Sequence, residues 1–237
     1  MEKQELLYEG KAKKVYTTQD PKLLIVAYKD DATAFNGQKK GTIHGKGAIN
    51  NRMTNLLMDR LEREGIPTHL VEELSGRETL VKKVSIIPVE VIVRNIAAGS
   101  FSKRYGVEEG VVFDAPTLEF SYKNDDLGDP LLNDDHALAL GLASREELAL
   151  IRKYSLNVNR LLRKIWGACG ITLVDFKVEF GRLEDGTVVL ADEISPDTCR
   201  LWDSKTLERM DKDRFRRDLG GVEEAYVQVM NRLTGGL

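Results

Sequence analysis

The chain has 237 residues, of which 42% are hydrophobic and 31% charged, with 35 Lys plus Arg against 38 Asp plus Glu. That length supports one large core or two closely packed small ones, and those proportions exclude both a disordered chain and a helical membrane protein. A net charge of −3 excludes the basic footprint of a nucleic-acid binder, so an anionic partner must be met by a local group of cations.

Up to about Asn95 the pattern is mostly strand. One strand is predicted over residues 6–17, a second over 23–28 after an Asp20-Pro21 turn, a third over 68–74, and two more between Thr79 and Arg94. One helix interrupts them: Ile49, Met53, Leu56, Leu57 and Leu61 recur at helical spacing, and Gly65 with Pro67 supplies the stop. The second part is richer in helix. A short helical stretch is predicted over 101–105. Ser144 and Glu147 form a capping box for a long helix whose apolar stripe is Leu148, Ile151, Val158, Leu162 and Ile165, ending at Gly170. Strands over 171–180 and 187–194 follow, joined by a Glu184-Asp185-Gly186 turn, and a last helix from Asp211 to Leu233 is disturbed at Gly220-Gly221. Strands first and mixed elements later argue for an α+β fold of two subdomains, 1–95 β-rich and 96–237 mixed α/β, with a cleft between them.

Compartment and cofactor class follow from what is sparse. Cys169 and Cys199 are too few for a disulfide framework and there is no Asn-x-Ser/Thr sequon. The start of the chain carries no long apolar run, so neither a signal peptide nor an anchor is expected, and the cytoplasm is the expected compartment. His44, His69 and His136 show no zinc-ligand spacing. The segment GTIHGKG (residues 41–47) fails both the Walker and the dinucleotide spacing, so nucleotide chemistry here requires another architecture.

Four segments carry candidate chemistry. LVDFKVEFG (residues 173–181) alternates strictly, placing Asp175, Lys177 and Glu179 on one strand face and Val174, Phe176, Val178 and Phe180 on the other. If Asp185-Gly186 is a two-residue hairpin turn, Glu179 faces Asp192, Lys177 faces Ile194 and Asp175 faces Pro196. Directly opposed carboxylates repel, and a hard divalent ion such as Mg²⁺ relieves them; a bulge near Gly181 would instead shift the register and part them. In Glu9-Gly10-Lys11-Ala12-Lys13, the two lysines share a strand face and suit a polyphosphate, although edge strands also carry lysine against aggregation. The apolar run over 86–93 delivers Arg94, and Gly99-Ser100 then opens a helix; Arg94 and Ser100 form an anion pocket or an ordinary turn with a local ion pair. Arg200 either binds a second anionic group or satisfies Asp197.

IIPVEVIVRNIAAGS (residues 86–100) and LVDFKVEFG resemble the two signature segments of the SAICAR synthetase family of purine biosynthesis. YEGKAKKVY, LVKKV, KNDDLGDPLLND, ADEISPDTCRLWD and MDKDRFRRDLGG extend the resemblance along the whole chain in order. It implies an ATP- and Mg²⁺-dependent ligase, commonly dimeric, that joins L-aspartate to the carboxylate of carboxyaminoimidazole ribotide (CAIR) to give SAICAR. It also implies a kinase-like N-terminal ATP lobe, with no nucleic-acid or membrane partner. By motif, Lys11 and Lys13 would hold ATP phosphates, Gly10, Ala12 and Val15 would belong to the same nucleotide site, and the Val81-Lys82-Lys83-Val84 strand would border adenine. Glu179 and Asp192 would meet the metal. Arg94, Ser100 and Arg200 would bind CAIR, with Asp175 and Lys177 at its reacting end. Lys123 would be a further nucleotide position and Asp129 a further metal position. A small-molecule kinase or a non-catalytic nucleotide-binding relative are the competing readings.

Overall fold

The computed structural model describes residues 1–34 and 37–236. Its elements in chain order are β1 (Leu6–Glu9), β2 (Lys13–Thr17), β3 (Leu23–Tyr28), β4 (Asp31–Ala34), β5 (Lys39–Thr42), α1 (Lys46–Arg63), β6 (Leu70–Ser75), β7 (Glu78–Lys82) and β8 (Ser85–Ile96). They continue with α2 (Gly99–Tyr105), β9 (Val112–Tyr122), β10 (Leu131–Leu132), α3 (Asp134–Ala139), α4 (Arg145–Ala168), β11 (Ile171–Arg182), β12 (Val188–Ala191), β13 (Cys199–Asp203), α5 (Asp213–Arg216) and α6 (Val222–Gly235).

The fold is α+β, built on two larger sheets. The first has strand order β1-β2-β3-β7-β6; the second has β10-β9-β8-β11-β12, with β13 also paired to β11, while β4 and β5 form a separate pair. Strand β8, although it precedes residue 96, belongs to the second sheet and lies directly beside β11. Among the described residues, backbone bonds join the two sheets beside β12. Leu190 N–H donates to Pro67 O and His69 N–H to Leu190 O, both at 2.9 Å, tying the entry to β6 onto β12.

Helix α4 begins at the capping box: Ser144 Oγ accepts the Glu147 N–H, and Glu147 returns the bond to the Ser144 N–H. Leu148, Ile151, Val158 and Leu162 are buried in the main core and Ile165 packs partly against it. That stripe covers Phe176, Val178 and Phe180 of β11 and Val91 and Val93 of β8, with Met53, Leu57 and Leu61 of α1 in the same core. The expected last helix is broken into α5 and α6, with the chain turning through left-handed backbone angles at Asp218, Gly220 and Gly221 (φ 55°, 70° and 58°).

Two local expectations change. Residues 6–17 form a hairpin rather than one strand: Gly10 N–H donates to Lys13 O at 2.8 Å, and the chain reverses through Lys11 and Ala12. In the β11–β12 hairpin, Leu183 rather than Glu184 pairs with Thr187, because Gly186 adopts φ 85° and extends the loop to residues 184–186. The register therefore slips by one, and Glu179 lies opposite Ala191 instead of Asp192.

Candidate active site

Strand β11 positions the site. It runs between β8 on one side and β12 and β13 on the other, and of the three charged residues predicted to share a face Asp175 and Glu179 are buried while Lys177 is half-buried. Its partner changes midway: residues 179–182 pair with β12 and Ile171 to Phe176 with β13. Between these, Lys177 N–H donates to Thr198 O at 2.8 Å, fastening the 192–198 segment alongside the strand.

At one end, Glu179 is opposed by Glu90 of β8, a buried like-charge pair. Lysines relieve it. Lys177 Nζ lies 2.5 Å from Glu90 and 3.2 Å from Glu179, and Lys123 Nζ lies 2.8 Å from Glu179. Burial alone would lower the Lys177 pKa, but Glu179, Glu90 and Asp192 outweigh it and hold the ammonium above its ordinary range. Asp192 follows β12 in a left-handed conformation (φ 61°), which an aspartate tolerates and which turns the chain out of the strand. Its carboxylate is bonded to Lys13 of β2, which also lies 3.1 Å from Glu193. Burial raises the Asp192 pKa, yet Lys13 and Lys177 together bring it down to about 2. Asp192 and Glu179 are thus not opposed across a hairpin but share Lys177 as an electrostatic neighbour.

At the other end, Asp175 sits between two arginines. Arg94 Nη1 donates to it at 2.6 Å and Arg200 Nη1 at 3.0 Å. Arg94 is only 1% exposed; its Nε and Nη2 donate to Glu119, and Nη2 donates to Ser100 Oγ at 3.0 Å. Arg200 Nε donates to Asp213 at 2.9 Å, so Asp175 and Asp213 rather than Asp197 are its acidic partners. Gly99 takes φ 56°, and a Cβ there would collide with the Arg200 guanidinium. Strand pairing places Asp175 opposite Arg94 in β8 and Arg200 in β13, not opposite Pro196.

The remaining expected residues fall around these two ends. Val15 and Val81 join Val26 and Tyr28 in one apolar cluster on the first sheet. Gly10 and Ala12 shape the hairpin turn, where Ala12 O accepts the Lys29 N–H. Lys11 belongs to that turn, so it does not share a strand face with Lys13; it reaches Asp125 at 2.8 Å. Lys82 donates to Thr68 O at 3.0 Å. Asp129 Oδ1 accepts the Asn124 N–H and closes its own turn. Among the described residues no three His, Cys, Asp or Glu side chains come together as a metal cluster, so Asp129 is not gathered with Glu179 and Asp192.

Glu90, Glu119, Glu193 and Asp213 were not singled out by the sequence reading. Glu90 carried a usable signal: it is the one charged residue in the apolar run from Ile86 to Val93.

Comparison with known proteins places the chain as a whole. The sequence model of SAICAR synthetase matches residues 6–233. The phosphoribosylaminoimidazole-succinocarboxamide synthase of Lachnoclostridium phytofermentans is 63% identical over 98% of this chain and 99% of its own length. The crystal structure of the enzyme of that name from Ehrlichia chaffeensis superimposes with a TM-score of 0.95 at 48% identity, covering 97% of this chain and 98% of that one. A SAICAR synthetase in complex with ADP superimposes with a TM-score of 0.94 at 47% identity, covering 98% of each chain. A match of this length and depth, on a chain whose signature strands meet at one charged site, shows that the protein belongs to the SAICAR synthetase family.

Proposed function

We propose that the junction of the two sheets joins L-aspartate, through its amine, to the carboxylate of CAIR at the expense of ATP, giving SAICAR, ADP and phosphate. The observation that carries this is the single face of β11. It offers Glu179 and Lys177 beside Lys13 and Lys123 at one end, and Asp175 between Arg94 and Arg200 at the other. Family membership and the relative that binds ADP support the reading.

A carboxylate is inert toward amines and must first be activated. A CAIR carboxylate oxygen attacks the γ-phosphorus of ATP, the bond to the ADP oxygen breaks, and an acyl phosphate forms. The aspartate nitrogen then attacks the acyl carbon, phosphate departs, and the nitrogen gives up a proton. Phosphoryl transfer of this kind needs positioning and charge neutralisation more than a protein nucleophile. Lys13, Lys123 and Lys177 supply cations to the phosphates. Arg94, Ser100 and Arg200 set the ribotide, its phosphate included. Asp175 fixes both guanidinium groups.

The donor set suits Mg²⁺. Lysine contacts fall on Glu179 Oε1 and Asp192 Oδ1, leaving the second oxygen of each for a hard cation that takes one or two carboxylates, water and phosphate oxygens. When bound, the metal would neutralise charge on the transferring phosphate. The proposal assigns residues 1–95 mainly to nucleotide and the remainder mainly to substrate, with β8 serving both. It extends to a cytoplasmic homodimer, a compartment that the free thiols of Cys169 and Cys199 suit. Incubation with ATP, Mg²⁺ and CAIR, with and without aspartate, tests the function by following ADP and SAICAR. SAICAR should form only with aspartate present; steady ADP release without aspartate and no SAICAR with it would establish a kinase or an ATPase instead.

A further inference from the structure

The reaction consumes a dicarboxylic amino acid, and the arginines and lysines already assigned are directed at the nucleotide and the ribotide. A second group of cations lies beside them. Asp197 Oδ2 is approached by two ammonium groups, Lys46 at 3.0 Å and Lys212 at 3.4 Å, while its Oδ1 accepts the Tyr226 hydroxyl at 2.7 Å. Next to it, Asp213 is shared by three cations, Arg200 at 2.9 Å, Arg216 at 2.7 Å and Arg217 at 4.0 Å. Arg200 also has Asp175 and Arg217 has Glu109, which leaves Asp197 and Asp213 between Lys46, Lys212 and Arg216.

Asp211, beside Asp213, carries only part of a negative charge at neutral pH. Burial and the Asp213 carboxylate push its pKa up to about 7, and its oxygens accept the Leu201 and Asp213 N–H groups. The surplus charge is reachable at one point. The Lys46 side chain is 1% exposed and Asp197 4%, so that pair is sealed, whereas Lys212 is 14% exposed and Arg216 28%. Burial depresses the Lys212 pKa below its ordinary value, the nearby Arg216 and Lys46 add to that, and Asp197 and Glu193 only partly offset it.

Placement connects this ammonium to the chemistry. Lys212 N–H donates to Pro196 O at 3.0 Å and Lys177 N–H to Thr198 O at 2.8 Å, so both residues are fastened to the same Ser195-to-Thr198 turn. A ligand carboxylate on Lys212 would lie across that turn from the lysine at the reacting end of CAIR.

We propose that Lys212, with Arg216 beside it, binds a side-chain or α-carboxylate of L-aspartate and presents the amine toward the activated ribotide. The inference rests on the ligase reading above and deepens it by placing the second substrate. Lys46 has a different role: it neutralises Asp197 from beneath and thereby frees the Lys212 charge for ligand.

Steady-state kinetics on the full chain test this by titrating each substrate against Lys212→Gln and Lys212→Arg. Glutamine can still donate to Asp197 and so keeps the turn supported. Loss of one charge-assisted contact corresponds to a rise of about 10- to 100-fold in the KM for aspartate. The KM values for CAIR and ATP should stay within about two-fold, since neither ligand is placed on Lys212. Lys212→Arg should recover most of the loss. An unchanged KM for aspartate overturns the assignment, as does an equal weakening of all three substrates, which would mark a purely structural support of the turn. If Lys212→Gln fails to fold, Arg216→Gln asks the same question from a more exposed position, with the same selective rise expected. Failure of the wild-type protein to make SAICAR would instead bring down the ligase reading itself.

Discussion

Arg94 is the residue whose replacement separates binding from architecture most clearly. Its guanidinium is buried and donates through Nε to Glu119 at 3.1 Å, through Nη1 to Asp175 at 2.6 Å, and through Nη2 to Ser100 at 3.0 Å and Glu119 at 3.3 Å. In Arg94→Lys a single nitrogen replaces a planar fork and cannot reach carboxylates on two sides. At least two charge-assisted bonds are lost, each worth about 1.5–3 kcal/mol. Breaking a buried ion pair costs about 3–5 kcal/mol, a large part of the roughly 5–15 kcal/mol that holds a typical protein folded. At about 2–4 °C per kcal/mol for a chain of this size, the melting temperature should fall by about 6–20 °C with no ligand present. Differential scanning calorimetry of the ligand-free protein measures it. A melting temperature within about 2 °C of wild type would show that Arg94 is held for ligand alone and that its four internal bonds contribute little.

Other outcomes follow from the same geometry. Glu179→Gln should cut Mg²⁺-dependent turnover by about 100-fold or more while the protein stays folded, since an amide is a poor ligand for a hard cation; near-normal kcat at saturating ATP would remove Glu179 from the metal site. Gly99→Ala should destabilise by about 1–3 kcal/mol, because φ 56° strains alanine and the new methyl displaces the Arg200 guanidinium; a urea midpoint equal to wild type would contradict the collision. Burial, with Lys13 nearby, depresses the His69 pKa to about 4, so the native state resists a proton that the unfolded chain accepts near 6.5. Above that pH the group costs nothing; as pH falls from about 6.5 to about 4 the unfolded state gains protons and stability is lost. His69→Gln should therefore flatten urea stability over that interval, and a slope identical to wild type would argue that other groups carry it.

The elements most legible in the sequence were those whose signals are local. The Ser144–Glu147 box and the stripe behind it define α4, and the glycine pair at 220–221 marks the break before α6. The charged face of β11 was legible because the alternation from Asp175 to Phe180 needs no knowledge of its neighbours; a shift in the pairing with β13 ends it at Val174, which packs with Ile96, Ala98 and Trp202 while Leu173 joins Phe176 in the main core. What was not legible depended on one backbone angle or on distant partners. A left-handed Gly186 adds a residue to the hairpin loop and moves Glu179 from Asp192 to Ala191, a change that the Glu184-Asp185-Gly186 triplet permits in either form. Glu90 meets Glu179, and Asp213 meets Arg200, only after β8, β11 and β13 pair. No spacing within a single segment encodes those meetings.

Strand β11 also fixes a length. Asp175, Lys177 and Glu179 are separated by two residues each, and a strand rises about 3.3 Å per residue, so the Asp175 and Glu179 positions stand about 13 Å apart along the backbone. Covalent geometry sets that interval, and the pairing with β8 keeps it straight. Movement of the first sheet would change how closely Lys13 approaches Asp192, yet it would leave this interval untouched. The spacing along β11 is thus independent of the spacing between the two sheets.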